Sequence, residues 1–155
     1  MRRKQAKKHA LIPDPRFNDT DVTYFVNNLM LQGKKSTAFK IFYSAIDKVT
    51  DRTGEEGLEQ WKTAVTAITP NVEVRSRRVG GATFQIPHPI RDSRKRSMAV
   101  KWIISYSRKR NEKTMSDRLA AEIIAANKGE GGTFKKKEDT HRMAEANKAF
   151  SHFRF

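Results

Sequence analysis

Cysteine is missing altogether from the 155 residues, which excludes disulfide bonds and thiolate metal centres and fits a reducing compartment. Long apolar runs are missing too. No stretch reaches the roughly 20 residues that a membrane-spanning helix needs, and the opening MRRKQAKKHALIP lacks the apolar middle of a signal peptide. The expectation is a cytoplasmic protein with no membrane partner. Acidic residues are scarce: 17 Asp and Glu stand against 32 Lys and Arg, for a formal net charge of +15. Such self-repulsion destabilises a compact monomer, and it suits a chain held against a polyanion, nucleic acid ahead of an anionic lipid surface. Apolar residues make up only 37%, so the core must be economical, and the length suits one domain.

A convergent catalytic set is lacking as well, so the chain reads as no enzyme, with no cofactor and no metal. His141 and Glu145 share a helix face but have no third ligand. His88 lies between two prolines with no carboxylate nearby in sequence. Gly80 and Gly81 lack the strand, loop and helix context of a phosphate-binding fingerprint and read as turn glycines.

What is present is organised around one stretch, Pro70 to Arg96. Val72 to Arg75 and Ala82 to Ile86 alternate with a period of two about the paired glycines, which predicts a β-hairpin over 72–87. No acidic residue occurs from Val74 to Arg91. Pro87 and Pro89 are expected to bar regular pairing and turn the chain. Phe84 is expected to pack at the hairpin base rather than stack on a base.

Helices flank this arm. Residues 1–18 form an expected flexible basic arm. Asp19 or Thr20 then caps a helix whose apolar stripe is Val22, Phe25, Val26 and Leu29, ending at Gly33. Ser36 is the candidate cap of a second helix, with Phe39, Phe42, Ile46 and Val49 inward, ended by Thr53 and Gly54. Leu58, Trp61, Val65 and Ile68 mark a third, closed by Pro70. After the arm, Ala99, Trp102, Ile103 and Tyr106 define a fourth helix. Thr114 or Ser116 caps a fifth that carries Leu119, Ile123 and Ile124. Lys135, Lys136 and Lys137 lead into a last one with Met143, Ala146, Phe150 and Phe153 at helical spacing. The fold class is mainly α: a six-helix, bundle-like body over 19–155, with the hairpin protruding between the third and fourth helices.

The cations fall in separate clusters, and one solvated lysine means little where four clusters mean more. Arg2, Arg3, Lys4, Lys7 and Lys8 lie in the N-terminal arm; Lys34 and Lys35 in the turn after the first helix. Arg75, Arg77, Arg78, Arg91, Arg94, Lys95 and Arg96 belong to the hairpin and the segment leading into the fourth helix. Lys101 and Arg108 continue a seven-residue stripe from Arg94, and Arg108, Lys109, Arg110 and Lys113 form a basic loop. Arginine predominates in the hairpin, where its planar fork makes bidentate phosphate contacts. Such contacts give affinity without sequence information. These residues are the candidate RNA-binding set, and an architectural DNA-binding protein with a basic β-arm is the alternative.

Three spaced runs go further. DTDVTYFVNNLMLQGKKSTAFKIFYSA (19–45), VEVRSRRVGGATFQIP (72–87) and HRMAEANKAF (141–150) resemble the bacterial small-subunit ribosomal protein S seven family. The resemblance implies a helical body with a protruding β-arm and a primary binder of small-subunit rRNA that nucleates assembly of the subunit head. It implies that hairpin and C-terminal helix lie near the exit-site tRNA and the mRNA path, with ribosomal protein S eleven as a neighbour and no obligate homo-oligomer. Carried onto this chain, Lys34 and Lys35 become rRNA contacts, and Arg75, Arg77 and Arg78 place the arm. Arg78, Gly80, Gly81, Arg142 and Lys148 come near tRNA or mRNA.

Overall fold

The computed structural model describes residues 9–153 of the chain. Among them the order is α1 (Thr20–Leu29), α2 (Lys35–Thr53), α3 (Gly57–Ile68), β1 (Val72–Val79), β2 (Ala82–Pro89), α4 (Asp92–Arg108), α5 (Met115–Asn127) and α6 (Gly131–Ala146). A 3-10 turn over Lys148–Phe153 comes last. The mainly helical class and the placement of the hairpin between α3 and α4 agree with the sequence reading.

The apolar spacing of each helix decides which face is buried. Val22, Phe25, Val26 and Leu29 of α1 meet Phe42, Ala45, Ile46 and Val49 of α2, all buried. Phe25, Phe42 and Trp61 close a three-ring contact with centroids 5.3–5.5 Å apart, which fastens α3 to the same core. Each buried Phe contributes about 1.5–3 kcal/mol by leaving water. Helix α5 runs through the middle, its Leu119, Ala120 and Ile123 fully buried and packed on α2, α3 and α4. At one point the packing requires glycine: a Cβ on Gly57 would come 2.4 Å from the Ile46 carbonyl oxygen and 2.7 Å from Thr50 Oγ1.

Caps set the ends. The Asp19 carboxylate accepts from the Asp21 N–H at 2.7 Å, and Thr114 Oγ1 accepts from the Asp117 N–H at 3.2 Å, as the residue types foretell. Other boundaries differ from the sequence reading. Helix α1 stops at Leu29, well before Gly33, and Lys34 rather than Ser36 occupies the cap position of α2. Lys135, Lys136 and Lys137 lie inside α6, which already begins at Gly131. The face of α6 that packs carries Thr133, Thr140 and Ala144, whereas Met143 is 47% exposed and Ala146 is exposed too. Small residues bury this helix because it lies against the hairpin and α5, and spacing of large apolar side chains misses that face.

The hairpin also departs from expectation. Pairing continues through both prolines, with Val74 opposite Pro87 and Val72 opposite Pro89. The reason is parity. Ile90 donates its N–H to the Asn71 carbonyl at 3.1 Å, so even-numbered residues of β2 turn their N–H groups toward β1 and odd-numbered ones turn away. Pro87 and Pro89 fall where a donor would face outward, the place a ribbon tolerates proline. At the tip, Gly80 and Gly81 have φ of 57° and 89°, the two positive values that a two-residue turn with strand-compatible twist demands.

Candidate nucleic-acid interface

The hairpin register sorts its side chains onto two faces. Directly opposed residues share a face, so Glu73, Arg75, Arg77, Phe84, Ile86 and His88 project one way, and Val74, Ser76, Arg78, Thr83, Gln85 and Pro87 the other. The first face lies on the body. Ile86 is fully buried, and the Phe84 ring packs on Phe150 of the 3-10 turn, centroids 5.2 Å apart. Phe84 therefore packs, but it stands opposite Arg77 near the turn rather than at the expected hairpin base, and its partner comes from the far end of the chain. His141 of α6 joins the same brace, its Nε2 accepting from the Asn71 N–H at 3.2 Å. Its neighbour Glu145 pairs instead with Lys148 at 3.2 Å.

Glu73 holds the root of the arm. Its side chain is 8% exposed, and the carboxylate takes Arg75 at 2.7 Å and Arg94 of α4 at 2.9 Å. Arg94 reaches both carboxylate oxygens through Nε, at 3.2 and 2.9 Å. Burial alone would push this carboxyl up, but the two guanidiniums outweigh it and hold the group below the ordinary glutamate value. Of these two candidate arginines, Arg94 fixes the arm to α4, while Arg75 pairs with Glu73 within β1.

The remaining candidates divide in the same way. Arg96 pairs with Asp21 and lies over the Tyr24 ring, 4.3 Å from its centroid. Lys95 pairs with Asp92 at 3.1 Å. Arg110 bridges Glu112 and the buried Glu122, both at 2.9 Å. Arg108 donates from Nη2 to the Leu29 carbonyl at 3.2 Å. By contrast Lys34, Arg77, Arg78, Arg91, Lys101 and Lys113 are exposed and take part in no ion pair among the described residues. Lys35 lies over Phe39 and Lys109 over Tyr106, at 5.8 and 5.1 Å from the ring centroids. On the last helix and turn, Arg142 is paired with Asp139 and Lys148 with Glu145, all within one helical turn and largely in water. Arg2, Arg3, Lys4, Lys7 and Lys8 lie outside the described residues.

Four of the cations on the hairpin, α4 and the C-terminal turn share one region. β2 packs against the C-terminal turn, and Arg94 of α4 reaches Glu73 of β1, so Arg77, Arg78, Arg91 and Lys148 belong to the hairpin and to the segments that touch or adjoin it. Lys101 and Lys109 line one surface recess with Arg108, Lys34 lines another with the same Arg108, and Lys113 lies in the α4–α5 loop. The cations therefore form two exposed groups rather than one stripe.

Three anchoring residues escape sequence reasoning. Asp14, assigned there to the flexible arm, is 2% exposed. Its carboxylate accepts from the N–H groups of Arg16, Phe17 and Asp19 at 3.0–3.1 Å and from the Tyr43 hydroxyl at 2.9 Å. Burial raises the Asp14 carboxyl, but these donors outweigh it and the net displacement is downward. Burial and the carboxylate together push the Tyr43 phenol up to about 12. Residues 14–18 are thus part of the body. Glu122 is 1% exposed; besides Arg110 it accepts from Thr133 N–H and Oγ1, at 2.9 and 2.5 Å, and so caps the start of α6. Glu73 is the third. The only sequence signal was that Glu73 is the last acid before a long acid-free stretch, and Asp14 the single acid of a basic tail.

Exposed cations outside any ion pair, carried on helices and on a hairpin anchored by paired arginines, bind anionic backbones by position and charge. Comparison with known proteins agrees. Residues 1–148 match the family model described as Ribosomal protein S7p/S5e. "Small ribosomal subunit protein uS7" of Flavobacterium johnsoniae is 65% identical over 158 aligned positions, covering 100% of both chains. The proteins of that name from Cytophaga hutchinsonii and Gemmatimonas aurantiaca are 61% and 55% identical, covering 100% and 99% of each chain.

Proposed function

Because the chain belongs to the ribosomal protein S7p/S5e family, we propose that it is a structural constituent of the small ribosomal subunit. It binds rRNA directly and early, nucleates assembly of the subunit head, and lies near the exit-site tRNA and the mRNA path. The observation that carries this reading is the state of the hairpin cations. Arg77 and Arg78 stand exposed and outside every ion pair among the described residues, on an arm whose root is fixed by Glu73 to Arg94. Pre-placed cations of this kind lose little freedom when they meet phosphate, which favours affinity.

The two faces of the arm divide the work. Arg77 lies on the face braced by the body, whereas Arg78 lies with Ser76, Thr83 and Gln85 on the outer, polar face. The outer face and the Gly80–Gly81 tip suit approach to tRNA or mRNA, with Arg142 and Lys148 contributing from the C-terminal segment that braces the inner face. Lys34, Lys35, Lys101, Lys109 and Lys113 form the second rRNA-facing group, and the N-terminal cations add to it. Arg75, Arg94, Lys95, Arg96 and Arg110 contribute mainly by holding the others in place, Arg108 joins the second group, and Arg91 joins the hairpin group. A neighbouring small-subunit protein, S eleven, fits the side of the C-terminal turn.

The test compares binding to a small-subunit head rRNA fragment and to duplex DNA of equal length at matched salt. The rRNA fragment should bind more tightly. Replacing Arg77 and Arg78 with alanine should lower the salt slope by roughly 1.5 to 2 units, since each phosphate contact accounts for nearly one. Equal affinity for DNA would favour an architectural DNA-binding protein, and an unchanged slope would show that the arm points away from the rRNA.

A further inference from the structure

Between the end of α1 and the start of α2 the surface dips into a recess of about 420 Å³. Leu29, Leu31, Ala38, Ile41 and Met115 make its lining mostly apolar, and the exposed Gln32, Lys34, Thr37 and Arg108 complete it, with no acidic residue among them. Leu31 is 62% exposed although it lies beside a buried core, an apolar side chain left to water where α1 ends and the chain reverses through Gln32 and Gly33. Arg108 spends one N–H on the Leu29 carbonyl, which fixes the guanidinium beside the recess and leaves its other donors uncommitted among the described residues.

We propose that this recess takes a single unstacked nucleobase of the bound RNA, with the phosphates on either side of that nucleotide held by Lys34 and Arg108. The inference rests on the proposed rRNA-binding function and deepens it. Complementarity decides the occupant. An apolar side chain from a protein partner would fill the recess but leave two cations unanswered. Phosphate alone would answer the cations but leave the apolar lining wet. A nucleotide answers both at once, and single-stranded bulges and loops of RNA offer splayed bases for such capture. Aliphatic walls hold a base by dispersion and exclusion of water, and Gln32 is the one uncharged amide of the lining, so the site selects first for a flipped-out nucleotide in the fold of the RNA and only secondarily for its sequence.

Thr37 gives the test, because it lies on an exposed position of α2 within the lining. Thr37→Trp fills the recess without altering charge, and Thr37→Leu fills less of it. Full-length variants are titrated with the head rRNA fragment over a range of salt, and their melting is compared with wild type. Thr37→Trp should weaken binding roughly tenfold at every salt concentration with the slope unchanged, as loss of one stacked base does. Thr37→Leu should lose an intermediate amount, and Lys34→Ala should lower the slope by nearly one unit. Binding by both Thr37 variants within twofold of wild type would overturn the proposal. So would a slope change as large as that of Lys34→Ala, which would mean that phosphate contacts were disturbed instead. Undiminished rRNA binding with lost binding to a purified neighbouring small-subunit protein would assign the recess to a protein side chain and equally overturn it. If wild type itself showed no salt-dependent preference for the rRNA fragment, the broader rRNA reading would fall first.

Discussion

Replacing Glu73 with glutamine isolates the charge that holds the hairpin to α4. The substitution keeps shape and one acceptor oxygen, but it removes the negative charge between Arg75 and Arg94 and turns an amide N–H₂ toward one of them. The side-chain exposures are 8% for Glu73, 57% for Arg75 and 55% for Arg94. A pair wholly in water is worth about 0–1 kcal/mol, and breaking a wholly buried one costs about 3–5. Here the anion is buried and the cations are half in solvent, so a cost of about 2 kcal/mol is expected at pH 7. For a chain of this length that lowers the melting temperature by roughly 4–8 °C. If the arm opens without the body, the same loss appears as faster hydrogen exchange at the β1 and β2 amides. The pH dependence supplies a check of sign. The folded carboxyl lies below its ordinary value of 4.5, so its stabilisation is complete above that value and is lost as pH falls through the folded value. The gap between wild type and Glu73→Gln should therefore narrow from about pH 5 downward in urea titrations. A variant within about 0.3 kcal/mol of wild type at pH 7 in both global unfolding and hairpin exchange, or a gap unchanged in acid, would refute the assignment.

Asp14→Asn should destabilise the free protein by about 2–3 kcal/mol, because it breaks charge-assisted bonds to three part-buried N–H groups, measured by urea unfolding. The same variant should bring down the Tyr43 ionisation, which lies at about 12 in wild type, followed by absorbance in the near ultraviolet. In wild type the raised Tyr43 value means stability present below pH 10 and lost as pH climbs through about 12. Gly57→Ala should cost about 1–3 kcal/mol by forcing α2 and α3 apart, read as a lower melting temperature with RNA contacts untouched. Deleting residues 1–12 should weaken rRNA binding and leave melting almost unchanged, whereas deleting 1–18 should lower it by several degrees by removing the Asp14 anchor.

What sequence could disclose came from periodicity. Phe25, Phe42, Trp61 and Ile103 are buried because large apolar residues recur at helical spacing, and Gly80 with Gly81 marks a turn because few other residues adopt positive φ twice in succession. The fold class was legible for that reason. The anchors were not, because their partners lie far apart in the chain: Glu73 meets Arg94 across 21 positions, and Tyr43 meets Asp14 across 29. A cation written in a basic run looks the same whether it faces water or an acid from another element, so Arg75, Arg94 and Arg110 were indistinguishable from Arg77 and Arg78. Helix α6 was misread on its inner face because Thr133, Thr140 and Ala144 do not stand out as apolar. The prolines of β2 pair because they fall at positions whose N–H would face away from β1, and parity of that kind cannot be read before the register is known.

Those prolines also bear on the exposed edge of the arm. A two-stranded ribbon exposes an outer row of backbone donors on each strand, which invites a strand from another molecule to add alongside. On β2 that row begins at residues 83 and 85 and would continue at 87 and 89, where proline supplies no N–H at all. Half of the row is silent, and the silent half lies at the root, where an incoming strand would find the steadiest backbone to zip onto. The edge of β2 is thereby a poorer template for a second arm than its eight-residue length would suggest.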